Sequence, residues 1–359
     1  MIFGSAEKEA RASCSLPYRL GALLDSATGS IPFGALVVSL DFELHWGVRH
    51  IRTTAGPYGK NIRGARTAIP KILLAFEQFG VAATWATVGF LFARNRRELT
   101  DFYPSVRPGY ADRRLDPYTE TIGAGESDDP FHFARSLIDR IRDTPRQEIG
   151  SHTFSHYYCL EDGQAAEAFR NDLESACQIA ASAGVRLKSI ALPGNQFNPS
   201  YAPLVRAAGF ISYRGNQPGG MYRARNSKEA SAALARIGRL TDAYLNVSGH
   251  ALTGWDEAAS AANGLFDIRA SRFLRPYSRR TASFDSLRLR QIAEAMRKAA
   301  RERRIYHLWW HPHNFGADIE ESMAILRRIL MTFQSLRDEH GFRSLSMNEA
   351  AEVASRLRP

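Results

Sequence analysis

Cysteine is scarce in this chain and follows no recognisable pattern. The 359 residues include three cysteines, Cys14, Cys159 and Cys177, which are odd in number and widely spaced. They exclude a disulfide scaffold and a zinc-ribbon arrangement, because both need regularly spaced pairs. This cysteine usage is typical of a protein from a reducing compartment.

Long apolar runs are also missing. No stretch approaches the roughly 20 apolar residues of a membrane-spanning helix, so we expect no transmembrane segment. Near the N-terminus, Glu7, Lys8, Glu9 and Arg11 interrupt any apolar run, so no signal peptide is expected. These features predict a cytoplasmic protein and leave its oligomeric state open.

Positive charge is in excess but is not concentrated. Lysine and arginine total 47 against 37 aspartates and glutamates, a formal charge of +10. An anionic partner is one interpretation. The arginines, however, are spread along the chain without a block or an aromatic-interleaved patch, so a solvated basic surface is favoured. We expect no nucleic-acid partner.

Strand-like and helix-like segments alternate over most of the chain. The run at 35–40 is almost continuously apolar, as in a strand buried on both faces, and a helical pattern at 68–79 ends before Gly80. Such alternation predicts an α/β fold with a parallel sheet, either doubly wound or closed into a barrel. A barrel is favoured because polar residues follow several strands, where (β/α) barrels form their active sites.

The chain divides into an N-terminal extension at 1–30 and a single predicted catalytic domain at 31–359. Segments at about 103–130 and 247–284 are expected to be long loops that shape a substrate groove, since loops of that length are usually functional. The candidate aromatic walls of this groove are Trp255, Phe273 and Tyr277.

Two histidines follow a predicted strand at 147–150. His152 and His156 are four residues apart, with small polar residues between them. One turn of helix or loop would point both rings the same way, as a metal ion bound by two histidines requires. The alternative is a helix cap beside a core histidine. With one carboxylate added, such a site keeps open positions, which is typical of a catalytic metal.

The first strand supplies two carboxylates. Asp41 and Glu43 are separated by one residue, so on a regular strand both face the same side. Two acids at the end of a buried strand are costly unless they are paired or bound to metal. One could bind the metal while the other accepts a proton from water. The alternative is an N-cap or an ion pair with Arg49 or Arg52.

The segment at 305–314 carries three histidines. A strand beginning at Ile305 places His307, Trp309 and His311 on one face, with His311 at its mouth. A histidine beside a metal-activated nucleophile suits general acid catalysis, and Trp309 would supply an aromatic wall for substrate. A second metal site formed by the three histidines, His313 included, is the alternative.

Three ordered motifs resemble those of the NodB-homology polysaccharide deacetylases, carbohydrate esterase family 4. They lie at 39–43, 151–156 and 310–312, and the resemblance covers about residues 35–320. It implies an irregular (β/α) barrel with fewer than eight strands. It also implies a metal-dependent hydrolase that removes the N-acetyl group from a sugar in a polysaccharide, oligosaccharide or glycolipid precursor and releases acetate.

The resemblance also implies roles for individual residues. Asp41 would be the general base and His311 the general acid. Glu43, His152 and His156 would bind a divalent metal. We expect this metal to be Zn²⁺, with Co²⁺, Mn²⁺ and Ni²⁺ as the alternatives.

One motif departs from the family pattern. After the fourth strand the family places an arginine near a proline, where it orients the catalytic base and the substrate, whereas this chain has Gly194. Pro193, Asn195 and Gln196 are present and are candidate substrate-binding or supporting residues. Arg214, at the end of the next predicted strand, is the candidate replacement.

Two other functions stay open. Gly194 motivates a catalytically weakened deacetylase-fold protein that binds carbohydrate or acts as a regulator. Two histidines and one carboxylate are also the ligand set of non-haem iron oxygenases.

Overall fold

The computed structural model describes residues 29–226, 249–260 and 264–357, with single positions 229, 238, 241, 242, 244 and 246. Nine strands in these residues form one sheet. The strands are β1 (Ala35–Phe42), β2 (Ala83–Thr87), β3 (Gln147–Ser151), β4 (Ser189–Ile190), β5 (Ser212–Tyr213), β6 (Phe266–Asp267), β7 (Arg272–Phe273), β8 (Ile305–Trp310) and β9 (Arg343–Leu345).

Helices connect most of these strands. In the described part of the chain they are α1 (Gly59–Phe79), α2 (Arg96–Asp101), α3 (Arg135–Asp143), α4 (Ala166–Ser182), α5 (Ala202–Ala207), α6 (Trp255–Ala259), α7 (Asp285–Arg301), α8 (Ile319–His340) and α9 (Met347–Ala354). None of them is long and apolar enough to cross a membrane.

Every strand pair is parallel, and the sheet curls into an open barrel. The order is β6-β5-β4-β3-β2-β1-β8-β7, with β9 beside the first residues of β1. The two edge strands, β6 and β7, are joined by residues 268–271, which span the opening. Ile268 N–H donates to Tyr213 on one side, and Ser271 N–H donates to His307 on the other. The chain itself therefore bridges the gap that strand pairing leaves.

Strand β1 lies at the centre of the sheet and divides the interior. Its outward side is apolar and packs under the helices; the residues are Leu36, Val38, Leu40 and Phe42. On the inward side Ala35 and Val37 belong to a second apolar cluster, and Ser39 and Asp41 follow them. Because side chains alternate along a strand, one face of β1 passes from apolar core to polar site within a few residues.

Helix α9 closes the N-terminal end of the barrel. Met347, Ala350 and Val353 pack in the same cluster as Ala35 and Ile305, the first residues of β1 and β8. Ser346 caps the helix in a capping box with Glu349. The opposite end, where the strands finish, is left for polar side chains.

The α/β fold and the irregular barrel expected from the sequence are confirmed, with differences in detail. The described residues form nine strands rather than fewer than eight, because the two-residue strands β6 and β7 leave no periodicity in the sequence and β9 was not expected. Helix α1 begins at Gly59 and continues through Pro70, earlier than the expected residue 68, and ends at Gly80 in the left-handed conformation.

The C-terminal elements β9 and α9 were not predicted. The segment at 247–284 is also not simply a loop, since it contains α6, β6 and β7. Residues 247, 248 and 261–263 of that segment, and residues 1–28 of the expected N-terminal extension, lie outside the described residues. The division into an extension and a single domain stays a prediction.

Candidate metal centre and active site

The site lies at the carboxyl ends of the strands. Asp41 is the second-last residue of β1 and Glu43 directly follows the strand. His152 comes directly after β3. Arg214 follows β5, and His311 follows β8. Parallel strands present their carboxyl ends at one edge, so residues from four distant parts of the chain meet there.

Glu43, His152 and His156 converge on one point. Their candidate ligand atoms lie within 4.8 Å of one another, and all three residues are buried. Oε2 of Glu43 is 3.3 Å from Nε2 of His152 and 3.0 Å from Nε2 of His156. One carboxylate and two imidazoles form a three-donor set that leaves coordination positions for water or substrate.

The hydrogen bonds of His152 test whether a metal fits this cluster. Nδ1 of His152 is 2.7 Å from the carbonyl oxygen of Ala191, which can only accept, so Nδ1 carries the proton. The lone pair of Nε2 then faces a carboxylate oxygen of Glu43. Two acceptors in contact need a cation between them, and a backbone partner on the far nitrogen is typical of a metal-binding histidine. The donor set therefore fits a divalent metal.

Protonation at the cluster also suits metal binding. Burial by itself raises the pKa of Glu43, but the neighbouring imidazoles of His311, His152 and His156 bring it well below its ordinary value. Burial lowers the pKa of His156 to about 4, although Glu43 opposes this. An ionised carboxylate and a neutral imidazole are the forms that bind metal ions.

A buried carboxylate on α4 holds the histidine loop in place. Asp172 accepts hydrogen bonds from the backbone N–H groups of Phe154 (2.7 Å) and Ser155 (3.1 Å) and from the Ser155 hydroxyl. Thr153 and His156 have positive φ angles of 63° and 59°. Because non-glycine residues seldom adopt this conformation, the loop needs such bracing. The residues between the histidines thus form a braced loop rather than a helix.

Asp41 forms a buried ion pair with Arg214. Nη1 of Arg214 is 2.6 Å from Oδ1 of Asp41, and Nη2 is 2.7 Å from Oδ2, a two-pronged contact. Nη1 also bonds Ser39, and Nη2 bonds Asn195 at 3.1 Å. Burial raises the pKa of Asp41, but Arg214, followed by His152 and His311, more than offsets this and keeps the pKa below its ordinary value. Asp41 is therefore held ionised in a fixed orientation.

The backbone at Gly194 disfavours any side chain at this position. Gly194 has a φ of 62° and Asn195 a φ of 55°, so both lie in the left-handed region. A side chain at Gly194 would be strained by this backbone whatever the space around it. Arg214 reaches Asp41 from the neighbouring strand instead. The expected substitution of Arg214 for the motif arginine agrees with these contacts.

His311 lies across the cavity from the carboxylates. Its Nε2 is 3.8 Å from Oδ2 of Asp41 and 3.6 Å from Oε1 of Glu43. The amide oxygen of Asn314 accepts from Tyr58, and its Nδ2 is 3.4 Å from Nδ1 of His311. An amide nitrogen can only donate, so Nδ1 accepts and Nε2 carries a proton that faces the cavity.

The residues enclose a cavity of about 400 Å³. Trp309 forms one wall, with the Arg214 guanidinium 4.2 Å from its ring centroid and the Phe273 ring tilted against it, 4.7 Å between centroids. Four arginines also line the cavity: Arg223, Arg225, Arg272 and Arg275. The described lining contains no residue from the 103–130 segment, so the expectation that this segment shapes the same groove is wrong for this cavity.

Some predicted residues have other partners. Gln196 is buried and bonds Leu160 and Glu161, so it supports the segment after the histidine loop. Pro193 is buried and begins a short 3-10 turn. Trp255 lies in the core with its Nε1 bonded to Phe33, and is not a cavity wall.

The three histidines at 305–314 do not assemble a metal site. His307 is bonded to Ile268 and Ser39 inside the barrel. Neither of the two candidate metal clusters in the described residues includes His307, His311 or His313.

Asp172 was not predicted from the sequence, although an acidic residue among the buried apolar residues of α4 is a signal that the sequence carries.

Two solved structures resemble the chain over almost its whole length. One is a protein from Mycobacterium smegmatis assigned to the polysaccharide deacetylases, with 13% identity, a TM-score of 0.55, and coverage of 89% of this chain and 90% of the other. The second is an assigned polysaccharide deacetylase from Pseudomonas aeruginosa, with 12% identity, a TM-score of 0.50, and coverage of 90% and 91%. The chain has the polysaccharide deacetylase fold. No family model and no curated protein matches the sequence.

Within this deacetylase fold, Asp172 provides a test of how the histidine loop is held. We expect Asp172→Ala to leave two buried N–H groups without acceptors, at a cost of roughly 1–3 kcal/mol each, and to weaken metal binding at His152 and His156. Chemical denaturation and zinc titration measure the two effects. Glu174→Ala on the same helix is the control, because that side chain is half exposed and should change stability by less than about 0.5 kcal/mol. Equal effects of the two substitutions would contradict the bracing role.

Proposed function

We propose that the protein is a metal-dependent hydrolase that removes the acetyl group from an N-acetylated sugar and releases acetate. One observation carries the proposal: the Asp41–Arg214 pair stands beside the cluster of Glu43, His152 and His156, at one cavity. A base held ionised next to a three-donor metal cluster is the arrangement that water activation needs. The deacetylase fold supports this reaction over others.

Asp41 is the proposed general base. A divalent metal held by Glu43, His152 and His156 would polarise the acetyl carbonyl and make water more acidic. Asp41 takes the proton from the attacking water while Arg214 keeps its carboxylate ionised and aligned. The contacts to Arg214 leave the carboxylate lone pairs that face the cavity free for this proton.

His311 is the proposed general acid. Its Nε2–H faces the cavity, and its Nδ1 accepts from Asn314, which keeps the ring in this tautomer. His311 acts as the acid in its imidazolium form: when the C–N bond of the acetamide breaks, the imidazolium gives its Nε2 proton to the departing nitrogen and becomes a neutral ring. The products are acetate and an amino sugar, and the proton held by Asp41 returns to His311 through solvent.

The cavity wall favours a substrate that carries negative charge. Arg223, Arg225, Arg272 and Arg275 line it, and the acidic residues in the same lining are Asp41, Glu43 and Asp242. Trp309 and Phe273 offer flat apolar faces on which a sugar ring can stack. We infer an N-acetylated sugar with a nearby phosphate or carboxylate, as in a lipid-linked or nucleotide-linked precursor. A cytoplasmic location is consistent with such a substrate.

Acetate release from purified protein tests the proposal. We expect release in the presence of a divalent metal, loss of it with EDTA, and recovery when Zn²⁺ or Co²⁺ is added back. The panel should pair neutral and phosphate-bearing N-acetylated mono-, oligo- and lipid-linked sugars, with faster release expected from the phosphate-bearing member. No release from any metal-supplemented sample would contradict the proposal. Native metal content separates a zinc hydrolase from an iron oxygenase.

The base and ligand assignments predict different results for two substitutions. Asp41→Asn should keep bound metal but lower turnover about 10²–10⁴-fold, because the asparagine cannot accept the proton. His152→Ala should lower both metal content and turnover. Metal analysis and acetate release are measured on samples shown to be folded by circular dichroism. If Asp41→Asn also releases the metal of this site, Asp41 is a ligand and Glu43 becomes the candidate base.

Substitution of Arg214 by lysine should change the pH dependence of kcat/KM. A lysine at this position supplies one point charge in place of two aligned hydrogen bonds, so the pKa of Asp41 should rise. Since Asp41 must be ionised to accept a proton, the acid limb of the kcat/KM profile of Arg214→Lys should move to higher pH. The rate at its optimum should fall about 10–100-fold.

Two variants serve as controls for this measurement. Arg269→Lys changes an ion pair with Asp267 outside the cavity lining and should leave the pH profile unchanged. Gly194→Arg should bring no gain, because Arg214 already occupies both oxygens of Asp41. A large gain from Gly194→Arg would instead favour the alternative of a catalytically weakened protein that binds carbohydrate.

A further inference from the structure

A second cluster of potential metal ligands lies outside the proposed active site. It consists of His45, Glu120 and His132, whose candidate ligand atoms are within 4.8 Å of one another. His45 is in the turn after β1, whereas Glu120 and His132 come from the chain between α2 and α3. Both histidines are buried, and the Glu120 side chain is 27% exposed.

The tautomer of His132 follows from its contact with Asp129. The Asp129 carboxylate lies 2.8 Å from Nδ1 of His132 and accepts from the backbone N–H groups of Gly123 and Phe131. A carboxylate held by such donors acts as an acceptor, so Nδ1 of His132 carries a proton. In the neutral ring, Nε2 is then a lone pair.

The tautomer of His45 follows from its contact with the Arg52 carbonyl oxygen. Its Nε2 is 3.0 Å from the carbonyl oxygen of Arg52, which can only accept, so Nε2 donates and Nδ1 holds the lone pair. Nδ1 of His45 and Nε2 of His132 are 2.9 Å apart. With both rings neutral, two lone pairs would therefore face each other, so the contact needs either a metal ion or an added proton that makes one ring an imidazolium. Oε1 of Glu120 lies 3.8 Å from each of these nitrogens.

We propose that His45 Nδ1, His132 Nε2 and Glu120 Oε1 form a second divalent-metal site, of the Zn²⁺ class. Two imidazoles and one carboxylate are borderline ligands that suit zinc. Two nitrogens on a tetrahedral zinc stand about 3.3 Å apart, so small movements of the rings and of Glu120 complete the set. Asp129 and the Arg52 carbonyl are the outer partners that orient the two rings.

This site gives the long 103–130 segment a role that the cavity does not. The metal would tie Glu120 and the 129–132 turn to the residues that directly follow β1. Two hydrogen bonds already connect these segments: His45 N–H donates to the Phe131 carbonyl, and Trp46 Nε1–H donates to the His132 carbonyl. The ion would therefore act as a clamp on the turn that begins at Glu43.

The competing occupant of the cluster is a single proton shared between the two rings. One histidine would then be an imidazolium and would donate to the other. A proton would satisfy the two nitrogens, and Glu120, whose Oε1 is 3.8 Å from each of them, would then be the ion-pair partner of the imidazolium. Zinc stoichiometry separates the two occupants.

The test is zinc binding by the full chain after removal of metal with a chelator. Wild-type protein should bind two equivalents of Zn²⁺ by calorimetry and elemental analysis. The double variant His152→Ala, His156→Ala removes the proposed active-site ligands and should retain one equivalent. In that background Glu120→Gln should weaken the remaining site about 10–100-fold. Asp112→Asn is the matched control, because its carboxylate pairs with Arg114 in the same segment and should not alter binding.

Two results would overturn the proposal. One is a folded His152→Ala, His156→Ala protein that takes up no Zn²⁺. The other is equal zinc affinity in Glu120→Gln and Asp112→Asn. If the double variant does not fold, Glu120→Gln is made in the wild-type chain, where it should weaken one of the two equivalents about 10–100-fold and leave the other unchanged. A single equivalent that is unaffected by Glu120→Gln would show that the cluster holds a proton.

Discussion

The site depends on the burial of two carboxylates at the end of the central strand. Asp41 and Glu43 are 3% and 4% exposed. A buried carboxylate costs several kcal/mol unless positive charge or hydrogen-bond donors compensate it. Arg214 compensates the charge of Asp41. The imidazoles of His152 and His156 lie beside Glu43 and help to lower its pKa. The polar end of the barrel is arranged around this requirement, and the compensating groups come from two other strands.

The different neighbours of Asp41 and Glu43 suit the two carboxylates to different roles. The guanidinium of Arg214 holds Asp41 ionised while leaving it able to accept a proton. Glu43 faces imidazoles whose free nitrogens need a cation, which makes it suited to binding metal. Rigid supports keep the two environments distinct. Asp172 braces the histidine loop, and Asn314 orients His311. Sites held in this way keep their geometry when substrate enters.

Several features could be predicted from the sequence because they are local. The spacing of His152 and His156, the alternation of Asp41 and Glu43, and the placement of His311 at the end of a strand all follow from backbone geometry. The alternation of strands and helices predicts the layers of the fold. The two-residue strands β6 and β7 could not be predicted, because their short pairings leave no repeating pattern. The cluster of His45, Glu120 and His132 was missed, because its members belong to none of the motifs recognised in the sequence.

The sequence by itself determined which groups could do chemistry and in which order they occur along the chain. Only the tertiary structure decided which of them meet. Arg214 lies 173 residues from Asp41 in the chain, yet the curl of the sheet brings its guanidinium onto both carboxylate oxygens. The left-handed backbone at Gly194 disfavours an arginine at the place in the chain where the family motif would have one. Contacts of this kind depend on strand order and loop conformation, which are set by packing across the whole barrel and not by neighbouring residues.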